Sequence, residues 1–185
     1  PNDFFAVDST TTVTYVAMDP SGNETTCSFD ITVEGDCSST TELTPTFFID
    51  GAAFFDGQER DAIYTVENVG DSDASDVQFL ITKPGSSTFD FIFYDGITPS
   101  SLVISGFSFA LDNEDWDITA QSSSLILIKL KPGVVIPPGG FNTLGINVKA
   151  ITDSGSAQTV GQLLDGTGGD QDQNNNVAQQ TFVIN

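Results

Sequence analysis

Oxygen-bearing side chains are the chemistry this sequence offers in quantity, and three stretches concentrate them. Asp170, Asp172 and Asn174 alternate in an Asp/Asn run that continues through Asn175 and Asn176. Asp112, Asn113, Glu114, Asp115 and Asp117 surround Trp116, and Asp71, Asp73 and Asp76 lie around a turn between two expected strands. Ca²⁺ is a hard cation that takes ~6–8 oxygen ligands. Each stretch is therefore a candidate calcium loop, with Asp170, Asp172, Asn174, Asp112, Asp115 and Asp117 as the strongest ligands, and Ca²⁺ is the one cofactor these residues suggest. The first stretch opens with the D-x-D-x-N of an EF-hand loop. Asn175 stands where that loop needs glycine and Thr181 where it needs a bidentate glutamate, so an EF-hand is excluded. The competing reading for all three is a solvated turn whose carboxylates bond its own main chain.

Catalysis has little to work with. The chain contains no histidine, which removes a Ser-His-Asp triad, a Cys-His pair and imidazole metal ligands. A glycosidase needs only two carboxylates, but the aspartates are scattered through turns with no apolar pocket sequence around any pair, so a non-enzymatic role is expected. Aromatic residues leave a binding role open. Trp116, Tyr94 and Asp95 are the candidates for a glycan site, whereas Phe89, Phe91 and Phe93 share one strand face and read as buried. A Lys–Asn isopeptide cross-link has possible partners in Lys129, Lys131, Lys149 and Asn185, but the first strand of the expected sandwich holds no lysine.

The net charge is −21, from 26 acidic and five basic residues. Such a chain repels nucleic-acid phosphates and anionic membrane surfaces, and attracts divalent cations or basic partners. No run approaches the ~20 apolar residues of a membrane-spanning helix. A start at Pro1, with neither Met nor signal sequence, reads as mature or truncated material.

Positioning these residues requires strands. Ser, Thr, Gly, Asn and Asp are abundant and no segment has helical period. In Thr11–Glu34, Val13, Tyr15 and Ala17 alternate with polar residues, Asp19–Asn23 is a turn, and Cys27, Phe29, Ile31 and Val33 alternate on the return. Phe4–Val7 is a candidate edge to this hairpin. From Pro45 on, strands are expected at Phe47–Ile49, Ala53–Phe55, Ala62–Glu67, Val77–Thr82, Phe89–Tyr94, Leu102–Ile104, Phe107–Leu111, Trp116–Thr119, Leu125–Leu130, Phe141–Ala150 and Val177–Ile184. Leu125–Leu130 is apolar on both faces and reads as a central strand. About nine to eleven short strands at this spacing predict an all-β, immunoglobulin-like β-sandwich preceded by a partial immunoglobulin-like hairpin unit.

The two cysteines, Cys27 and Cys37, are poorly placed to pair with each other. A continuous strand from Cys27 to Val33 spans ~20 Å at ~3.3 Å per residue. The steps from Val33 to Cys37 return at most ~14 Å, while a disulfide needs Cα atoms within ~7 Å. Only a fully extended return would bring the two within that distance, so Cys27 is expected to pair with a cysteine outside this segment or to stay unpaired.

The residues from Phe5 through Val33 resemble the C-terminal half of a hyalin repeat (HYR) domain, with Tyr15, Asp19, Gly22, Asn23, Cys27 and Phe29 carrying the match. The resemblance implies an extracellular immunoglobulin-like sandwich, found in tandem in adhesion proteins, with Cys27 bridged to a cysteine near that domain's start. Ala62–Gly85 pairs a strand, Asn68-Val69-Gly70, a polar turn and a second strand closed by proline. With the Asp/Asn run before the last strand, it is similar to bacterial immunoglobulin-like repeats of the CARDB, cell-adhesion-related type. The expected organisation is residues 1–34 as the end of a HYR-like domain, 35–44 as linker, and 45–185 as a CARDB-like sandwich with extra strands around Phe89–Trp116. The function implied is a non-catalytic extracellular module of a large bacterial cell-surface adhesin or stalk. Its partners would be neighbouring domains or subunits, a glycan or a substratum surface, and neither nucleic acid nor membrane interior. The alternatives are a carbohydrate-binding module of a secreted enzyme and a filament subunit assembled by strand complementation.

Overall fold

The structure, a computed structural model, describes residues 5–6, 9–33 and 39–185. It divides into two units, Pro1–Ser38 and Ser39–Asn185. In the first, β1 (Ser9–Met18) and β2 (Glu24–Val33) form an antiparallel hairpin with Val13 opposite Phe29 and Tyr15 opposite Cys27. That register places Val13, Tyr15, Ala17, Cys27, Phe29, Ile31 and Val33 on one face, as the alternation predicts. Asp19 builds the turn. Its Oδ1 accepts from the Ser21 and Asn23 main-chain N–H at 2.8 and 2.9 Å, and its Oδ2 from Asn23 Nδ2 at 2.8 Å. The Asn23 side chain, then the main-chain donors, hold its carboxyl below the usual carboxylate range. Gly22 at φ +87° supplies the left-handed residue this turn needs. Phe4, Val7 and Cys37 lie outside the described residues, and Phe5 and Ala6 belong to no strand.

The second unit is an immunoglobulin-like β-sandwich. Its strands are β3 (Leu43–Ile49), β4 (Ala53–Phe54), β5 (Glu59–Asn68), β6 (Gln78–Thr82), β7 (Phe89–Phe93), β8 (Ser101–Ile104), β9 (Phe107–Ala110), β10 (Trp116–Gln121), β11 (Leu125–Leu130), β12 (Phe141–Ala150), β13 (Gly155–Leu163) and β14 (Val177–Ile184). One sheet has the order β10-β11-β6-β13-β14-β4 and the facing sheet β3-β5-β12-β7. β3 starts at Leu43, inside the stretch expected to be linker. β11 lies inside its sheet with Ile126, Ile128 and Leu130 buried, in keeping with its apolar sequence.

Between the sheets sits an aromatic layer. Phe54, Phe89 and Phe182 pack mutually at centroid distances of 5.3–5.6 Å, and Tyr64 meets Phe47 at 4.7 Å and Phe79 at 5.5 Å. The Tyr64 hydroxyl is buried, so its proton must be placed. Thr159 Oγ1 lies 2.7 Å away and itself donates to the Thr82 carbonyl at 2.9 Å, which makes Tyr64 the donor to Thr159. Burial pushes the Tyr64 phenol well above its ordinary range.

β13 is absent from the sequence expectations, and the aromatic layer explains why. Its core-facing positions are Ala157, Thr159, Gly161 and Leu163. A Cβ on Gly161 would stand 2.4 Å from Phe79 Cζ and 2.5 Å from Tyr64 Cε1. The rings occupy the volume a strand side chain normally fills, so β13 reads as a polar loop although strands flank it on both sides. The β8–β9 hairpin covers the outer face of the smaller sheet in the region expected to hold extra strands. There Leu102, Ile104 and Leu111 bury Ile63. Gly145 on β12 admits Leu111, whose Cδ1 would be 2.5 Å from an added Cβ.

Gly161→Ala is expected to lower unfolding free energy by about 1–3 kcal/mol through overpacking, read from urea denaturation. A change under about 0.5 kcal/mol, the usual range for surface sites, would mean the rings do not press on β13.

Candidate functional site

The C-terminal end of β7 and the start of β10 meet around a short 3-10 turn, Asn113–Asp115. Asn113 is 3% exposed, and its amide copies a strand partner. Oδ1 accepts from the Gly145 N–H at 2.6 Å and Nδ2 donates to the Gly145 carbonyl at 3.1 Å. This locks the acidic turn to β12. Gly96, at φ +80°, passes so close that a Cβ would lie 2.6 Å from the Glu114 nitrogen. Tyr94 donates its hydroxyl to Asp61 Oδ1 at 2.6 Å, where Asn147 Nδ2 also donates at 2.9 Å. Burial first, and the Asp61 carboxylate second, push the Tyr94 phenol up. Asp95 Oδ1 accepts from the Thr98 and Ile97 N–H groups at 2.9 Å each, which lowers its pKa.

Tyr94, Asp95 and Trp116, the glycan-site candidates, do line one cavity of about 270 Å³, together with Ile118 and Lys131. Trp116 itself is a core residue. It is 5% exposed and its Nε1 donates to Asn142 Oδ1 at 3.1 Å. Stacking on a sugar requires an open ring face, and Trp116 does not present one; its role as a stacking platform is corrected to interior packing. The Asp61–Tyr94–Asn147 contacts and the Asn113–Gly145 clamp left no signal in the sequence, because their partners lie on strands distant along the chain.

The acidic stretches resolve into hydrogen-bonded turns. Asp170 is buried, with Oδ1 accepting from Leu43 N at 3.0 Å and Oδ2 from Asn176 Nδ2 at 2.6 Å. Asp172 Oδ1 takes both the main-chain N–H and the Nδ2 of Asn174, at 3.0 and 2.7 Å. Asn175 and Asn176 keep buried Oδ1 atoms without a protein donor, but they turn their nitrogens, not these oxygens, to Glu42 and Asp170. Asp112 Oδ2 accepts from Thr143 N at 2.8 Å, while Asp117 lies on β10 opposite Lys129. Asp71 accepts from Thr40 N at 2.6 Å, and Asp76 pairs with Lys129 at 3.0 Å. Among the described residues, no group of three or more His, Cys, Asp or Glu side chains is placed to hold a metal ion. The carboxylates of the acidic stretches are engaged chiefly by main-chain and amide donors.

Asn68, in the Asn-x-Gly segment, is a fastener. Fully buried, it donates through Nδ2 to the Ser72 and Ile136 carbonyls at 2.7 and 2.8 Å and accepts from Gly70 N at 3.1 Å. Gly70 lets the chain pass where a Cβ would meet the Thr40 carbonyl at 2.3 Å.

On the hairpin, the alternating face is exposed. Tyr15 and Phe29 stack at 6.1 Å while remaining 63% and 49% accessible. Cys27 lies on that face, exposed and free among the described residues. β2 is unbroken from Glu24 to Val33, the premise on which Cys27 and Cys37 are poorly placed to pair.

The HYR domain family model matches residues 1–33. Three solved structures are similar in fold. One is a cohesin module from a Clostridium perfringens family 33 glycoside hydrolase, with TM-score 0.49, 14% identity, and coverage of 79% of this chain and 98% of that one. Another is the CARDB domain of a Pyrococcus furiosus protein in complex with di-metal ions, with TM-score 0.46, 12% identity, and coverage of 79% and 94%. The third is BcpA, the major pilin subunit of Bacillus cereus, with TM-score 0.48, 8% identity, and coverage of 93% and 47%. No curated protein matches the chain. Likeness at this level bears on the sandwich fold and on no ligand.

Two measurements test the acidic turns. Melting temperature with EDTA is expected to equal that with millimolar Ca²⁺; a rise of several degrees with Ca²⁺ would restore a structural metal. Asp112 offers a pH test. Burial, reinforced by Asp115 and Glu114 and opposed by the Thr143 N–H, raises its pKa above the model-peptide 3.8. The folded state thus holds this proton to higher pH than the unfolded state, and stability falls as pH rises from 3.8 through the raised value. Asp112→Asn keeps an oxygen for Thr143. It is expected to melt higher than wild type at pH 7, with the difference gone below about pH 3. A pH-independent difference would contradict this.

Proposed function

We propose that this chain is a non-catalytic adhesion or spacer module of a large extracellular, cell-surface protein. The observation carrying this reading is the HYR match over residues 1–33, on a hairpin whose Tyr15–Phe29 face is open, in a chain whose other unit is an immunoglobulin-like sandwich. Modules of this shape hold binding surfaces at a distance. Their natural partners are neighbouring immunoglobulin-like domains of the same polypeptide or of neighbouring subunits. The acidic surface supports solubility in such an array. Among the described residues no helix is long and apolar enough to cross a membrane. The glycan reading retains the Tyr94/Asp95 cavity but loses Trp116 as its platform. The filament reading would place a neighbour's strands on the open hairpin face.

Beads coated with the chain, set against beads coated with an unrelated protein of similar charge, test the proposal on matrix and abiotic surfaces and on a glycan array. Adhesion above the control without selective glycan retention is expected. Selective retention of a glycan, lost in both Tyr94→Ala and Asp95→Ala, would replace this reading with a carbohydrate-binding module; no adhesion to any surface would remove the adhesive role.

A further inference from the structure

The sandwich has an open side, where β7 ends one sheet and β10 ends the other. Edge strands invite pairing, and proteins blunt the edges they protect. Three of the four edges here are blunted. β3 carries Pro45, β4 has only two residues, and β10 shifts register between Ile118 and Ala120. β7 has no proline and pairs with β12 in unbroken register from Phe89 to Phe93.

The register fixes which β7 groups are free. Tyr94 N donates to the Gly145 carbonyl at 3.1 Å and Ile151 N to the Thr88 carbonyl at 3.0 Å. Alternate residues of an antiparallel strand bond the same neighbour, so Thr88, Asp90, Ile92 and Tyr94 face β12. Phe91 and Phe93 therefore turn their N–H and C=O groups away from it, and β7 is the last strand of its sheet. Two cavities follow this free edge. One, of about 170 Å³, is lined by Lys83, Phe89, Asp90, Phe91 and Ser123. The other is the 270 Å³ cavity bounded by Phe93, Tyr94, Asp95, Trp116 and Ile118. Together they border the unused hydrogen-bonding edge as a groove that is mixed in polarity beside Asp90 and more apolar beside Phe93 and Ile118.

We propose that this groove takes up an extended peptide segment of a partner protein by strand addition to β7, the segment having alternating apolar residues and basic flanks. Charge selects that occupant. The lining's acidic residues, Asp90, Asp95 and Glu114, outnumber its lysines, Lys83 and Lys131, which keep their charge while donating to the Ser122 and Glu114 carbonyls. Asp90 and Glu114, at opposite ends, have carboxylates that no hydrogen bond or ion pair reaches among the described residues, although Lys149 stands across from Asp90 in register. A net charge of −21 attracts a basic segment and repels a second copy of this chain. The inference is independent of the adhesive reading and stands or falls on its own.

Trp116 is the only tryptophan and borders the groove, so its fluorescence reports occupancy. The probe is the peptide Lys-Val-Thr-Val-Thr-Val-Lys, compared with its Glu-flanked counterpart and with a version N-methylated at every internal residue. The Lys-flanked peptide is expected to give a saturable fluorescence change and to slow hydrogen exchange at the Phe91 and Phe93 amides. The Glu-flanked peptide should bind about tenfold or more weakly, and the methylated one should not bind. Equal binding by the methylated peptide would overturn strand addition, and equal binding by the Glu-flanked peptide would overturn the basic occupant. Absence of binding at millimolar peptide, or a concentration-dependent dimer that protects Phe91 and Phe93 without peptide, would overturn the proposal as a whole.

Discussion

The contact of two aromatic rings with a bare backbone governs the sandwich. Tyr64 and Phe79 occupy the space where a Gly161 side chain would be. Three consequences follow from that one intrusion. β13 must be glycine at this point. The Tyr64 hydroxyl is carried so deep that Thr159 must accept its hydrogen bond and donate its own to the Thr82 carbonyl. And the six-stranded sheet, with β13 inside it, can close on the smaller one at normal packing density.

The same economy shapes the periphery. Loops are held by amides and carboxylates that imitate main chain: Asn113 pairs with Gly145 as a strand would, Asn68 ties the β5–β6 loop to the β11–β12 loop, and Asp170 caps the start of β3. Each buried polar group that is satisfied in this way adds only about 0.5–1.5 kcal/mol net. Leaving one unmet would cost more, so these residues act as specificity devices for loop conformation. An Asp/Asn-rich surface in this protein is thus largely a record of turn construction. Its remaining function is electrostatic, giving a chain of −21 a bias toward basic partners.

Strand-rich architecture was legible wherever apolar alternation survived, as in β2, β11, β12 and β14. The hairpin register followed from the same period, and the Asp19–Asn23 turn from its residue types. β13 was not legible, because its partners supply the bulk. The Trp116 side chain's partner, Asn142, lies on β12, distant along the chain from the acidic turn that β12 holds. The acidic stretches were legible as turns, while the partners of Asp170 and Asp112, Leu43 and Thr143, lie far along the chain and left no signal. The cavity uniting Tyr94, Asp95 and Trp116 was anticipated by residue type, while the free edge of β7 beside it required topology.

Native-state hydrogen exchange followed residue by residue tests the central claim, that a sequence reading as a polar loop is an interior strand clamped by aromatic rings. The account predicts that the amides of Val160, Gly161, Gln162 and Leu163 exchange as slowly as those of β5 and β12, through global unfolding. Exchange of the β13 amides at rates typical of the exposed loops would contradict it.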